Sequence, residues 1–277
     1  MIRINFLVEG QTEETFIRDV LIAHLALFKI FGVVRCVETS HKFRRVGGKE
    51  LRKFYRGGSI NYEKMKNDLI RWMKQEKGTN VFFTTMIDLY RIPNNFPNFE
   101  EARKINDVHI RVEKFEQAFK EDIAESRERF LPHIQPFEFE ALLFSNPSEF
   151  IHQFPDEKIR IDKLSKINEK YQNPEFINDN NPPSYQIKSI FVGYSKVSDG
   201  PIIAEAIGLD EMRKKCPHFN EWIKRLETLN SKPAFSSGFF IDQYICGAYF
   251  TNRSFRVPRC FVWVNIFITV KLSFPRE

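Results

Sequence analysis

No run of about 18 uninterrupted apolar residues occurs in this 277-residue chain, so no membrane-spanning helix is indicated. A basic start followed by an apolar stretch and a small-residue cleavage site is also missing. No secretory signal is read, and the expected setting is the cytoplasm. Cysteine is sparse: Cys36, Cys216, Cys246 and Cys260 lie far apart with no C-x-x-C pair, which argues against a zinc site or a disulfide framework and for reduced thiols. The glycine loops G-x-G-x-x-G and G-x-x-x-x-G-K, which cradle nucleotide phosphates, are absent. So is the G-x-S-x-G elbow of serine hydrolases. The six histidines form no H-x-x-x-H pair. His24 sits among apolar residues, as a core or boundary side chain would. His41, His109, His133, His152 and His218 have no partner visible in the sequence.

The formal charge is +6, but its location matters. Residues 231–277 hold six Lys/Arg against two Asp/Glu, a surplus of +4 that leaves only +2 for the first 230 residues. Net charge is therefore weak evidence for a nucleic-acid partner. A local cluster says more: Lys42, Arg44, Arg45, Lys49, Arg52, Lys53 and Arg56 face a single acid, Glu50, with Phe43, Phe54 and Tyr55 among them. Read as a glycine-containing loop, this segment is either phosphate-contacting, with aromatic groups for stacking, or simply a solvated surface.

Ile2 to Val8 is a β-type apolar run that ends on Glu9 and Gly10, and a helix follows with Thr12 as its expected N-cap and Glu13 and Glu14 in the first turn. Residues 33–37 read as a second strand, 61–76 as a helix, and Val81 to Ile87 as a strand covered on both faces that ends on Asp88. This alternation predicts a mostly parallel α/β sheet. Prolines make 89–97 a loop, and 98 to about 129 is helical with a core-facing stripe (Ile105, Val108, Val112, Phe115, Phe119 and Ile123). Between 131 and 144, a strand would put Glu138 and Glu140 on one face, whereas a helix would make them diverge. Residues 146–170 read as helical and solvated. The Asn/Asp/Pro-rich 174–183 is a loop, mobile or docked across the site, and two helices are expected at 201–209 and 211–229. The expected organisation is an α/β domain over 1–145, a helical extension packed on it over 146–230, and an atypical aromatic-rich tail over 231–277.

Glu9, Glu13, Asp88, Glu138 and Glu140 are the candidate acids. Glu9, Glu13 and Asp88 lie at or just beyond the carboxyl ends of predicted strands, where open α/β sheets build their sites. Carboxylates gathered there without a basic partner are costly unless a divalent cation joins them, and oxygen ligands favour Mg²⁺ or Mn²⁺ over zinc. Taken singly, Glu13 and Glu14 read as helix-capping or surface charges.

The motifs Val8-Glu9-Gly10-Gln11-Thr12-Glu13, Ile87-Asp88-Leu89-Tyr90 and Gln135-Pro136-Phe137-Glu138-Phe139-Glu140-Ala141-Leu142-Leu143-Phe144 occur in that order. Tyr194-Ser195-Lys196 and Cys216-Pro217-His218-Phe219-Asn220 follow. Together they resemble the domain-of-unknown-function family 4276 over roughly residues 1–230. The resemblance implies a Toprim-like, Rossmann-like fold related to OLD-type nuclease domains. It implies acid/base work for Glu9, metal ligation by Asp88, and a bacterial anti-phage setting with an ABC-type ATPase partner. One departure is plain: Toprim sites carry Asp-x-Asp, whereas Asp88 is followed by Leu89 and Tyr90, so Glu138 or Glu140 would supply the missing acid. The expected function is Mg²⁺- or Mn²⁺-dependent cleavage of nucleic acid, DNA ahead of RNA, with Lys196 joining the basic segment as a phosphate contact. Homo-oligomerisation is left open. The alternative is a degenerate Toprim-like adaptor that binds an ATPase or a nucleic acid without chemistry. Three converging acids favour the enzyme, and a Lys or Arg placed inside the cluster favours the adaptor.

Overall fold

The structure, a computed structural model, describes residues 1–46, 49–56, 61–123, 128–177 and 181–230, with the backbone path alone for 38–46 and 49–56. The aromatic-rich 231–277 segment lies outside the described residues.

The main sheet has the order β2-β1-β5-β6, with a further strand, β7, also paired to β5. Its strands are β1 (Ile2–Val8), β2 (Ile30–Cys36), β5 (Val81–Asp88), β6 (Phe130–Leu131) and β7 (Ile134–Gln135). Every pairing in it is parallel. The protein is thus an α/β chain with a Rossmann-like parallel sheet flanked by helices. Because the strands run the same way, Glu9 after β1, Asp88 at the end of β5 and the turn after β7 open on one edge.

Side-chain alternation along β1 divides the core. Ile4, Phe6 and Val8 pack on one face, in a cluster that also contains Phe150, Ile161, Ile203, Phe219 and Trp222. Leu7, Phe83 and Ile87 pack on the other, with residues of α3 (Tyr62–Gln75) and α5 (Val108–Asp122). The helices after residue 146 therefore share the core of β1, and the described residues fall in one compact unit. Both faces of β5 are covered, as its near-continuous apolar run requires.

Several sequence expectations need correction. The first helix, α1 (Gln11–Phe16), is capped by Gly10 rather than Thr12, because the Glu13 carboxylate reaches back to accept the Gly10 N–H at 3.0 Å. It runs through a π-turn (Ile17–Leu21) into α2 (Ile22–Ala26). The basic segment is not a loop: its backbone forms an antiparallel ribbon of β3 (Glu38–Val46) and β4 (Lys49–Arg56), with Lys42 opposite Lys53, Arg44 opposite Leu51 and Arg45 opposite Glu50. The expected helix from 98 onward is broken into α4 (Phe99–Ala102) and α5, because Asp107 turns out to be an N-cap that accepts the N–H groups of His109 and Ile110. After α6 (Lys158–Asn168) and α7 (Pro183–Ile190) come three helices rather than two: α8 (Asp199–Ile207), α9 (Leu209–Lys215) and α10 (Pro217–Glu227). They break at Gly208, whose φ of 76° suits glycine, and at Pro217, which has no N–H to continue α9. Among the described residues, no helix is long and apolar enough to cross a membrane.

Candidate active site

Glu9, Glu13, Asp88, Glu138 and Glu140 are all buried, none more than 6% exposed. Asp88 shares its face of β5 with Met86, which directs it to the side where α1 and the later helices pack. Glu138 and Glu140 arrive by a route that neither sequence alternative described. After β7, Pro136 ends the ladder and Phe137 turns the chain at φ 60°, a left-handed conformation that costs a side-chain-bearing residue roughly 1–2 kcal/mol. Two contacts hold it there: the Tyr90 N–H donates to the Phe137 carbonyl at 3.0 Å, and the Phe137 ring is 5% exposed in the core. Glu138 is then extended and Glu140 lies in the first turn of a 3-10 helix, Phe139–Ser145. The two glutamates converge although the segment is neither a strand nor an α-helix.

Asp88, Glu138 and Glu140 each offer a carboxylate oxygen within 4.8 Å of the others. Backbone and hydroxyl donors orient them. The Phe139 N–H donates to Asp88 Oδ1 at 2.9 Å, while Ser184, at the start of α7, donates to Glu138 from its N–H at 2.9 Å and its hydroxyl at 3.0 Å. Ser184 directly follows the Asn/Asp/Pro-rich stretch, of which residues 178–180 lie outside the described residues. Glu9 stands beside the trio, its Oε2 accepting the Asp88 N–H at 3.3 Å. Glu13 completes the capping box of α1 by accepting the Gly10 N–H.

The expectation that these acids lack basic partners fails. Arg91 Nε lies 3.1 Å from Glu9 Oε1, and Lys196 Nζ lies 3.1 Å from both Glu138 Oε1 and Glu140 Oε2. Lys196, expected at a phosphate, spans two carboxylates, with its side chain 28% exposed. Among the described residues, these five buried acids meet two cations, Arg91 and Lys196. Burial pushes the Glu9 carboxyl up to about 8, reinforced by Glu13 and opposed by Arg91. Glu140 rises to about 7 through burial, against the pull of Lys196. Asp88 is driven well above the usual carboxylate range by burial and then by Glu9 and Glu13, and burial raises Glu13 as well. The negative surplus holds Lys196 firmly protonated. Two polar atoms are left over: Glu140 Oε1 and the Tyr194 hydroxyl are buried without a hydrogen-bond partner. An all-oxygen donor set with an orphaned carboxylate oxygen fits a hard divalent cation such as Mg²⁺ or Mn²⁺.

The remaining site residues of the sequence reading, Lys42, Arg44, Arg45, Lys49, Arg52, Lys53 and Arg56, lie on the β3–β4 ribbon, where side chains are outside the described residues. The ribbon follows β2, whose last residue, Cys36, pairs with Val8, so its chain leaves the sheet at the edge where Glu9 stands.

A family model described as "Domain of unknown function (DUF4276)" matches residues 8–227. The chain belongs to DUF4276. The match spans all five acids, Arg91 and Lys196 of this DUF4276 chain, and it stops short of the aromatic-rich tail. No curated protein and no solved structure matches the chain.

A second group on this DUF4276 chain was invisible in the sequence. His109, His133 and His218, which are not at motif spacing, come together with Glu116 around a cleft of about 190 Å³. His24, by contrast, is a satisfied boundary histidine 2.7 Å from Glu227 Oε1.

Proposed function

We propose that this chain is a divalent-metal-dependent nuclease that hydrolyses phosphodiester bonds of nucleic acid, with DNA the preferred substrate. The reading rests above all on the Asp88–Glu138–Glu140 group, in which Glu140 Oε1 is buried without a partner. Mg²⁺ or Mn²⁺ held there would polarise a phosphoryl oxygen and make an attacking water more acidic. Glu9, with its carboxyl at about 8, suits proton transfer near neutral pH. Arg91 and Lys196 are partly exposed cations at the same site and offer positive charge to phosphate oxygens. Phosphates further along a strand would meet the basic β3–β4 ribbon. Resemblance to OLD-type nuclease domains adds an ABC-type ATPase partner, an anti-phage role and a cytoplasmic setting to the same proposal.

Lys196 between Glu138 and Glu140 supports a second reading, an adaptor that binds nucleic acid or an ATPase without cutting. Purified protein, alone and with an ATPase encoded beside it, is incubated with DNA and RNA in Mg²⁺ or Mn²⁺. Metal-dependent cleavage lost in Glu9→Gln and Asp88→Asn supports the nuclease, and variants that cleave like wild type show that the catalytic assignment is wrong. Tight binding without cleavage under every metal condition supports the adaptor.

A further inference from the structure

The histidine cluster stands apart from the acidic site in its chemistry. Glu116 comes from α5, His133 from the turn between β6 and β7, and His218 from the second residue of α10. One donor atom from each lies within 4.8 Å of the others. His218 Nε2 is 2.9 Å from Glu116 Oε1, and His133 Nδ1 is 3.6 Å from the same oxygen. Tetrahedral zinc with bonds of about 2.0–2.1 Å holds its donors roughly 3.3 Å apart, close to these separations.

His133 supplies an independent observation. It is 1% exposed, its ring stacks on Trp222 at 4.2 Å with 6° between the planes, and its Nδ1 has no hydrogen-bond partner. Its other nitrogen, Nε2, is 3.3 Å from Gln135 Oε1, which can only accept. In the tautomer that makes this bond, Nδ1 presents a lone pair towards the Glu116 carboxylate. A lone pair facing a carboxylate oxygen at 3.6 Å is repulsive unless a cation lies between them. The opposite tautomer would donate across 3.6 Å, too long for a hydrogen bond. An outer-shell acceptor on one imidazole nitrogen, with the other nitrogen free, is how metal-ligating histidines are usually set. Glu116 is oriented too, its Oε1 accepting the Ile134 N–H at 2.8 Å. His109 stands next in the stack, 6.2 Å from the His218 ring, and its Nε2 is 3.1 Å from Glu175.

We propose that Glu116, His133 and His218 form a transition-metal site of zinc type, with a fourth position open to the cleft. The lack of paired cysteines argued against zinc, but here imidazole and carboxylate donors assemble only through the fold. Bound metal would clamp α5, the β6–β7 turn and α10 together. Nitrogen donors set this site apart from the all-oxygen acidic group, so millimolar Mg²⁺ does not compete for it.

The test titrates the full chain with Co²⁺ in excess Mg²⁺ and records visible absorption together with Trp fluorescence. The expected result is one tight equivalent with the d–d bands of tetrahedral cobalt and quenching of Trp222. His218→Asn abolishes both signals. Gln135→Met keeps the ligands but removes the outer-shell acceptor, and it weakens binding about 10- to 100-fold. Glu140→Gln, which alters the acidic site, leaves the cobalt spectrum unchanged, so failure of the nuclease reading and failure of this one are distinguishable. Octahedral bands only, a thiolate charge-transfer band, or a tetrahedral spectrum that survives His218→Asn would each overturn the proposal.

Discussion

Metal binding at the acidic site should be steeply pH-dependent, because the group must lose protons to accept a cation. Glu140 is raised to about 7 and Asp88 well above its ordinary value, both mainly by burial. At pH 7 Glu140 is then about half protonated, and Asp88 is shifted in the same direction, so loading an ion expels protons from the group. Glu140 alone should raise the apparent Mn²⁺ affinity about 5-fold from pH 6 to pH 7, and Asp88, shifted in the same direction, adds to that rise. The same protons govern stability without metal. A carboxyl whose folded pKa is raised contributes stability that is complete below its unfolded value of 4.5 and is lost as pH rises through the folded value. For Glu140 the loss is on the order of 3 kcal/mol by pH 8, and Mn²⁺ should restore it. Calorimetric titration in two buffers of different protonation enthalpy reads the proton count directly, and thermal denaturation against pH reads the stability. A dissociation constant that stays flat from pH 6 to pH 8.5, with no proton release, would refute the raised carboxyls or the metal.

Other expectations follow from single contacts. Glu9→Gln should lower metal-dependent cleavage about 10²- to 10⁴-fold, the usual worth of a general base, while Mn²⁺ affinity changes little in calorimetry. Arg91→Ala removes the positive charge that lowers the Glu9 carboxyl, so the rising limb of the pH–rate profile should move to higher pH; no movement would detach Arg91 from Glu9. Lys196→Met leaves Glu138 and Glu140 without their counter-charge and should destabilise the metal-free protein by about 3 kcal/mol at pH 8 in chemical denaturation, with Mn²⁺ recovering most of the loss. Ser184→Ala removes one of the two hydrogen bonds that Ser184 donates to Glu138 and should cost about 1.5–3 kcal/mol by the same measurement.

The strand-end acids were legible because apolar period and strand polarity alone place Glu9 and Asp88 on one edge of a parallel sheet. Their cations were not. Lys196 lies 56 residues from Glu140 in sequence, and only the packing of α7 and α8 beside the Phe139–Ser145 turn brings it to the acids. The Glu138–Glu140 geometry was hidden for a different reason. It depends on Phe137 in a left-handed conformation, stabilised by long-range burial that local propensity does not report. The β3–β4 ribbon looked like a loop because charge masks the two-residue alternation that marks a strand. The histidine site spans 102 residues between Glu116 and His218, with no spacing for a motif to catch. Conversely, most of the core-facing stripe was readable from period alone: Val108, Val112, Phe115, Phe119 and Ile123 are buried, while Ile105, ahead of the α5 N-cap, is only half-buried.

Anomalous diffraction from crystals soaked in Mn²⁺ at pH 8 addresses the acidic edge most directly. The predicted result is one manganese peak within about 2.2 Å of oxygens from Asp88, Glu138 and Glu140, with Lys196 Nζ moved off the two glutamates. A peak absent at saturating Mn²⁺, with Lys196 still spanning Glu138 and Glu140, would contradict a metal-dependent site and leave the lysine as the group's only counter-ion.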